Sequence, residues 1–467
     1  MGALRKLSVS RPNKSKMSFG RFYGVDLRTD GETGGFNRAS ECYNFSTADG
    51  ALKINDGGVG FGEKYVLPKY EPISLYFYKR RDSQTGKIAD LLMIYCNDGF
   101  IYSCPYEGGE FKLIPTLHFY NRPIGILYNY NGNDAIIFSS NEGYFRIYDG
   151  STTITKTKMP IINSMCMHAE RLFFTSSGID GALWFSDDFD PLNWNVSLSE
   201  AGFIDMSDER GEMIGVVNFA NYLFVFRSYG ISKVTAYADQ TEFSVTHLLT
   251  SCGKIVKNSI VNCGEYLTFV ASDGIYRFDG YSISKISEHL NGKIDFLSVT
   301  AKGVFFNGYV YYVFENTKTG EKTILKSNLS GGDYSFINAG DICDFAVINA
   351  ENEYRLFGVD KTQKCLFEVV KSGKYLDVPT EKVWRSKKSD FGITARVKNL
   401  TEIAFYVKGK CTVTVCSEKG QREFTVNGKG RTVLRPNLKG NIFEFEIKSN
   451  EEEVEVSGLT VTFSYYL

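Results

Sequence analysis

Proline is scarce in this 467-residue chain, at 10 residues, and tryptophan and histidine number only 3 and 4. So few prolines leave most backbone N–H groups free to enter sheet ladders. The histidines, His118, His168, His247 and His289, stand apart, with no His-Glu-x-x-His pair and no cysteine or second histidine at ligand spacing. His118 and His247 lie in apolar, strand-like contexts that suit a structural role. The 10 cysteines occur singly, without a Cys-x-x-Cys, which excludes the usual zinc and redox patterns. They read as reduced, structural thiols in a protein made in a cytoplasm. No run reaches transmembrane length and no signal-peptide core follows the basic start, so neither a membrane anchor nor the usual secretion route is expected. No long segment keeps a 3.6-residue apolar period, so helices should be few. Charge of either sign is not in excess: 53 basic residues face 54 acidic ones, a formal net of -1, which gives no global drive toward nucleic acid or acidic membranes.

Signatures for bound groups are also missing. Gly57-Gly58-Val59-Gly60-Phe61-Gly62 lacks the Lys-Ser/Thr of a phosphate loop and no helix pattern follows it, so it reads as a flexible turn. Asp187, Asp188, Asp190, Asp205 and Asp208 cluster, but without the ordered spacing and closing Glu of a calcium loop. No paired catalytic carboxylates can be placed. The expectation is a protein with no cofactor, no metal and no catalytic residues.

What is abundant is glycine, at 45, with 29 tyrosines and 36 phenylalanines, the composition of short strands joined by tight turns. The clearest stretch is Glu265 to Ser287, where Asp273-Gly274 and Asp279-Gly280 separate three runs rich in β-formers. Asp-Gly suits a two-residue turn with positive φ at both positions, so this stretch predicts a tight antiparallel meander. Similar turns recur at Gly99, Gly143, Gly181, Gly230, Gly274 and Gly320, with Gly280 as the second turn of its copy and a degenerate copy at Asp360-Lys361. The intervals run from about 38 to 49 residues, the period of a four-stranded propeller blade. Seven copies predict an all-β, seven-bladed β-propeller of four-stranded blades over residues 61–378.

Residues 1–60 read as an extended N-terminal arm. Arg5, Lys6, Arg11, Lys14, Lys16 and Arg21 all precede the first acid, Asp26, and this basic stretch is expected to be disordered until it docks on a partner. Ala51 to Ile54, between two Asp-Gly pairs, would pair with the last blade and close the ring. Residues 379–467 read as a small β-sandwich of six strands, with Phe443, Phe445 and Ile447 alternating against charged neighbours. Trp184 and Trp194 flank the acidic insertion and could stack on a sugar, which makes a propeller adhesin or glycan-binding module the alternative function.

Several stretches resemble a family of tailed-bacteriophage virion proteins, the propeller-bearing head–tail connector, stopper or tail-nozzle proteins. Asn44-Phe45 with Asp49-Gly50-Ala51-Leu52-Lys53 is similar to the family's N-terminal segment, although Asn55-Asp56-Gly57 replaces its usual Arg-x-Gly ending. Leu183-Trp184-Phe185-Ser186-Asp187 with Asp190-Pro191-Leu192-Asn193-Trp194 resembles a second signature, and Ile214 to Val217 with Leu223 to Phe226 resembles the blade that follows. Cys252-Gly253, Ser259-Ile260-Val261 and Ser272 to Gly280 resemble its most recognisable block. The resemblance covers roughly residues 20 to 290 and lies mainly in turn and blade chemistry. It implies a non-catalytic structural protein of the virion, made in the host bacterial cytoplasm and located in the tail or at the head–tail junction. Its implied partners are itself, in a ring of six or twelve, the portal or adaptor and other tail proteins, and DNA passing through the channel without sequence-specific binding.

Overall fold

The computed structural model describes residues 12–28, 35–81, 86, 88–130, 132–176, 181–237, 239–248, 252–290, 292–328, 333–338 and 340–466. Among them the only helical turns are four three-residue 3-10 turns; the rest of the regular structure is strand. Five four-stranded antiparallel sheets follow one another, each an up-and-down meander in chain order: Pro72 to His118, Ile124 to Lys156, Ile162 to Asp205, Met213 to Leu248 and Val261 to Lys285. A further meander runs Val299–Phe306, Tyr309–Asn316, Lys322–Asn328 and Asp333–Ile337, and three more strands run Ile342–Ala350, Glu353–Asp360 and Cys365–Lys371. The last of these sheets packs on the first, since Leu75, Leu92 and Ile94 share one apolar cluster with Ile348, Phe357 and Val359. The fold is therefore an all-β propeller, with each sheet's apolar faces buried against its neighbours.

The repeated turns work by a route other than the one expected. Asp149-Gly150-Ser151-Thr152 and Asp279-Gly280-Tyr281-Ser282 are the same four-residue loop, closing the pairs Tyr148↔Thr153 and Phe278↔Ile283. In each, the aspartate accepts from the backbone N–H two residues on, at 2.8 and 2.9 Å, and three residues on, at 2.7 and 2.7 Å. Glycine follows at φ 92° and 98°. The signal is thus a carboxylate capping the turn, with glycine taking the left-handed position. At Asp273-Gly274 the ladder partner of Gly274 is Ala271, so Ser272 and Asp273 form the turn and Gly274, at φ 154°, begins the next strand. Gly99 and Gly320 have φ 86° and 71°, whereas Gly143, Gly181 and Gly230 do not take positive φ. In the Gly143 turn Asn141 takes it instead, at φ 52°, and Gly230 pairs with Arg227 as a strand residue.

The N-terminal segment departs most from expectation. Among its described residues it forms β1 (Asn13–Phe19), β2 (Ala39–Tyr43), β3 (Phe45–Ser46), β4 (Leu52–Ile54) and β5 (Asp56–Gly60). The closing strand is β5, not Ala51 to Ile54: it adds antiparallel to Cys365–Lys371, from Phe367↔Gly60 to Lys371↔Asp56. The glycines that read as a flexible turn are what admit it, because a Cβ at Gly58 would lie 2.8 Å from the Phe367 ring and 2.9 Å from that of Tyr375. β4 pairs with β3 and with the C-terminal strand Glu455–Tyr465, against which β1 also runs over all seven of its residues. β2 bridges the two halves, pairing with Asp333–Ile337 at Tyr43↔Phe336 and with Lys382–Ser386 over four pairs.

The C-terminal strands are fewer and longer than expected. Lys398–Ser417 is a single 20-residue strand and Gly420–Leu434 a single 15-residue strand, paired as one long hairpin from Ile403↔Leu434 to Ser417↔Gly420. Gly409 and Gly428 sit opposite one another within this ladder, Gly409 at φ 97°. Along Phe443–Ser449 the alternation holds, with Phe443, Phe445 and Ile447 buried. One large core joins these strands to the N-terminal segment and to the sheet Val299 to Ile337; it includes Phe22, Phe36, Trp384, Phe336 and Phe463. Phe36 makes edge contacts with Phe391 and Phe445 at 5.4 and 4.3 Å, and Trp384 meets Phe22 edge-on at 4.9 Å while donating to the Tyr23 carbonyl at 3.1 Å.

Candidate functional site: axial cavity and docking surfaces

The propeller axis holds a cavity of about 310 Å³, reached by residues from the innermost strand of each sheet. Three charged groups face it. Arg122 donates to Asp344 at 3.1 Å and to the Ser74 hydroxyl, and Lys302 donates to the carbonyls of Ile73 and Cys343, both at 3.3 Å. Burial lowers the Lys302 pKa, against the pull of Asp344. Asp344 also accepts from Leu75 N–H at 3.1 Å in the neighbouring sheet, as Ser164 accepts from Val216 N–H at 3.1 Å. Both acceptors sit at a bulge in their own inner strand, after Ile342 and Ile162. The bulge turns a side chain toward the next sheet, so these polar groups hold neighbouring sheets in register around the axis. No local sequence signal links Arg122, Lys302 and Asp344, which lie on three different sheets. The cavity is far too small for a DNA duplex, whose major groove alone is about 12 Å wide.

Of the six basic residues expected on a docking arm, Arg5, Lys6 and Arg11 lie outside the described residues. Lys14 and Lys16 are exposed on β1, an added edge strand rather than a free arm, and Arg21 is exposed just beyond it. β1 is ordered by its ladder and by Phe19, whose ring lies 4.9 Å from that of Phe36.

The acidic insertion is organised by its own partners. Arg171, only 2% exposed, reaches Asp188 at 2.8 Å and Glu200 at 2.6 Å. Asp187 accepts from Asn193 at 2.8 Å, Asp190 from Leu192 N–H at 2.9 Å and Asp205 from Ser207 N–H at 2.9 Å, while Asp208 pairs with buried Arg227 at 2.7 Å. Trp194 donates to the Pro191 carbonyl at 2.7 Å and packs on Phe174 at 4.9 Å; Trp184 lies 4.8 Å from Phe203. Both indoles serve as packing anchors for the insertion. The histidines are likewise engaged locally: His247 with Ser232 at 2.9 Å, His289 beside Asp26 at 3.3 Å, His118 against Phe100 at 4.6 Å, and His168 buried, where desolvation lowers its pKa.

The stretches that carry the family resemblance are joined in space. Gly253 N–H donates to Asp273 at 2.9 Å, Lys254 N–H to the Ser272 hydroxyl at 3.0 Å, and the Tyr276 hydroxyl to Asp273 at 2.5 Å. Asn44, at φ 55°, donates to the Glu381 carbonyl at 2.7 Å and accepts from Asn338 N–H at 3.0 Å. It thereby ties the N-terminal segment to the end of the propeller. All 10 cysteines are free, and six are buried. Burial pushes the Cys96, Cys166 and Cys343 thiols up to about 12, which keeps them protonated and unreactive. Among the described residues no helix is long and apolar enough to cross a membrane.

No protein-family model matches the chain, and no curated protein matches it. Among solved structures, BBS1N in complex with ARL6DN, from a crystal soaked with mercury, aligns at 10% identity and TM-score 0.42, covering 68% of this chain and 96% of that one. BamB from Moraxella catarrhalis aligns at 13% identity and TM-score 0.36, covering 68% of this chain and 97% of that one. At such values neither alignment bears on what this chain does.

Proposed function

We propose that the chain is a non-catalytic structural protein of a tailed-phage virion, one subunit of a ring-forming head–tail connector or tail nozzle around the DNA channel. In this reading the propeller has seven blades, the last completed by β5, and the strands beyond residue 379 form a sandwich-like docking unit. Support for seven comes from the axial cavity, lined by Tyr76, Gly125, Ser164, Gly215, Ile260, Gly303 and Phe345, one from each successive inner strand or, for Ile260, the residue just before it. The observation that carries the function is how the N-terminal segment is used. β1 to β5 pair with the C-terminal strands, with the sheet Val299 to Ile337 and with the closing sheet, so that a single stretch ties the C-terminal strands to two of the propeller's sheets. Such tying suits a part that transmits force between neighbours, and it leaves the hinge-like freedom of many enzymes out of the design. Since the cavity on the propeller's own axis is too small for a duplex, the DNA conduit would have to be enclosed between copies. Gold-labelled antibody against this chain, applied to purified intact particles, tests the proposal: label at one end of the tail or at the head–tail junction is expected. Particles that label for other tail proteins and not for this chain would overturn it.

A further inference from the structure

The long hairpin carries a charge arrangement that the fold itself does not need. In its register Lys408 stands directly opposite Lys429, Tyr406 opposite Arg431 and Lys410 opposite Asn427. Cross-strand partners share a face, with Cβ atoms about 5 Å apart, and next rows follow at about 6.8 Å along the strand. Four cations therefore occupy three consecutive rows of one face, and Lys408, Lys410, Lys429 and Arg431 are all exposed, as is Tyr406 beside them. The opposite face is apolar: Phe405, Val407 and Cys411 are buried. On the exposed face Lys408 meets Glu453 at 3.7 Å, and its other cross-strand neighbour, Glu455, is shared with Lys53 at 3.9 Å. Lys410, Lys429 and Arg431 have no ion-pair partner among the described residues. Like charges directly opposite destabilise a ladder. Concentrating four of them in a chain whose formal net charge is -1 suits a surface that meets an anion.

We propose that this face of the hairpin is a polyanion-binding ribbon that grips the phosphate backbone of duplex DNA without reading its sequence. The ribbon's two-residue repeat of about 6.8 Å equals the axial rise of two base pairs, at 3.4 Å per phosphate on each strand. Successive rows can therefore meet alternate phosphates. Tyr406, at the row of Arg431, supplies a hydroxyl for a further phosphate contact. The choice of DNA over another polyanion rests on the virion reading; the existence of the site rests on the register alone.

The test uses the purified full chain and a fluorescein-labelled 30-base-pair duplex of arbitrary sequence, followed by anisotropy across 50 to 200 mM NaCl. Four phosphate contacts give a slope of log K against log salt of about -3.6, a loss of affinity on the order of a hundredfold over that range. Lys429→Gln should reduce the slope by about one contact, and the combined Lys408→Gln, Lys410→Gln, Lys429→Gln and Arg431→Gln variant should abolish binding at 50 mM with an unchanged circular dichroism spectrum. Wild-type protein that ignores the duplex at 50 mM overturns the proposal, as does a fourfold variant that binds with the wild-type slope. So does a variant that merely self-associates while still binding DNA, because the cations would then serve only to keep a free strand edge from pairing. Wild-type binding to polyglutamate and not to duplex also overturns it, in favour of an acidic protein partner. The two claims fail separately: gold label on particles without duplex binding removes only this inference, and duplex binding by a chain absent from particles removes only the virion assignment.

Discussion

Removing the Asp56 carboxylate should open the ring at its seam, and the structure sets the size of the effect. Asp56 is the first residue of β5, the strand that completes the closing sheet. It accepts from Lys326 at 2.5 Å and from the Tyr311 hydroxyl at 2.6 Å. The two charged side chains are 4% and 10% exposed, so both charges are largely out of water. Burial lowers the Lys326 pKa, and Asp56 opposes that effect. Asp56→Ala leaves a buried ammonium with the Asn55 amide oxygen, at 3.0 Å, as its one hydrogen-bond acceptor among the described residues, beside the Tyr309 ring at 4.2 Å. Breaking a buried pair from one side costs about 3–5 kcal/mol, whereas replacing both members with apolar residues is often neutral. Unfolding entropy of about 2.1 cal/mol/K per residue comes to about 1 kcal/mol/K over 467 residues. The single substitution should therefore lower Tm by about 3–5 °C if the chain melts as one unit, while Asp56→Ala with Lys326→Met should recover most of the loss. Melting followed by circular dichroism at pH 7 reads both. A single-variant shift under 1 °C, or a double variant as unstable as the single, would refute the account of the seam.

Three glycines separate backbone strain from crowding. Gly181→Ala should be nearly neutral, having no left-handed φ and its nearest neighbour among the described residues at 3.6 Å; Gly320→Ala should cost about 1 kcal/mol from its φ of 71° alone, with open space around it. Gly274→Val should cost more, about 2–3 kcal/mol, because a side chain there displaces the Ser287 hydroxyl that accepts from Ile275 N–H at 2.8 Å; equal denaturant midpoints for the three would contradict this. In the Asp149 turn, burial pushes the carboxyl up, but N–H and hydroxyl donors from Thr152 and Ser151 outweigh it and hold the pKa at about 2. A depressed carboxyl stabilises the fold above its ordinary value near 3.8 and loses that contribution as pH falls toward 2. Asp149→Asn should therefore show a smaller drop in stability between pH 4 and pH 2 than wild type, measured by urea titration at each pH; parallel drops would exclude the turn as a contributor.

How much of this was legible depends on whether the signal was local. The meanders were, because their turns are written within a few residues and inner strands such as Leu267–Ala271 are buried along their whole length. The Asp-Gly pairs marked the turns correctly while suggesting the wrong geometry, since a capping carboxylate and a two-residue turn share the same dipeptide. Gly57 to Gly60 was misread for a physical reason: glycine is normally poor in strands, and here the Lys374 carbonyl at Gly57, the Phe367 and Tyr375 rings at Gly58 and Leu376 at Gly60 come close to the backbone. The axial charges and the basic ribbon were illegible in another sense. Lys408-Gly409-Lys410 and Gly428-Lys429-Gly430-Arg431 are unremarkable apart, and only the register of the hairpin superimposes them.

The basic start of the chain illustrates how pairing changes the meaning of a composition. Read alone, residues 1 to 20 are a polar tail whose removal should leave stability untouched. In the structure, β1 gives Glu455–Tyr465 a ladder of seven pairs, and Met17 and Phe19 pack on the large core. Deleting residues 1–20 strips that cover from the edge of Glu455–Tyr465, and an uncovered edge is a template for another chain. The seam at β5 lies 35 residues beyond the deletion and keeps its own partners. The expected result is selective: amides of Glu455–Tyr465 and Lys398–Ser417 exchange faster, those of Cys365–Lys371 are unchanged, and the deleted protein sediments partly as dimers or larger species. A deletion of residues 1–11 should show none of these changes, since it stops short of Asn13. Loss of protection in the closing sheet on deleting 1–20 would mean that the propeller and the C-terminal strands unfold as one body, so that β1 acts on both.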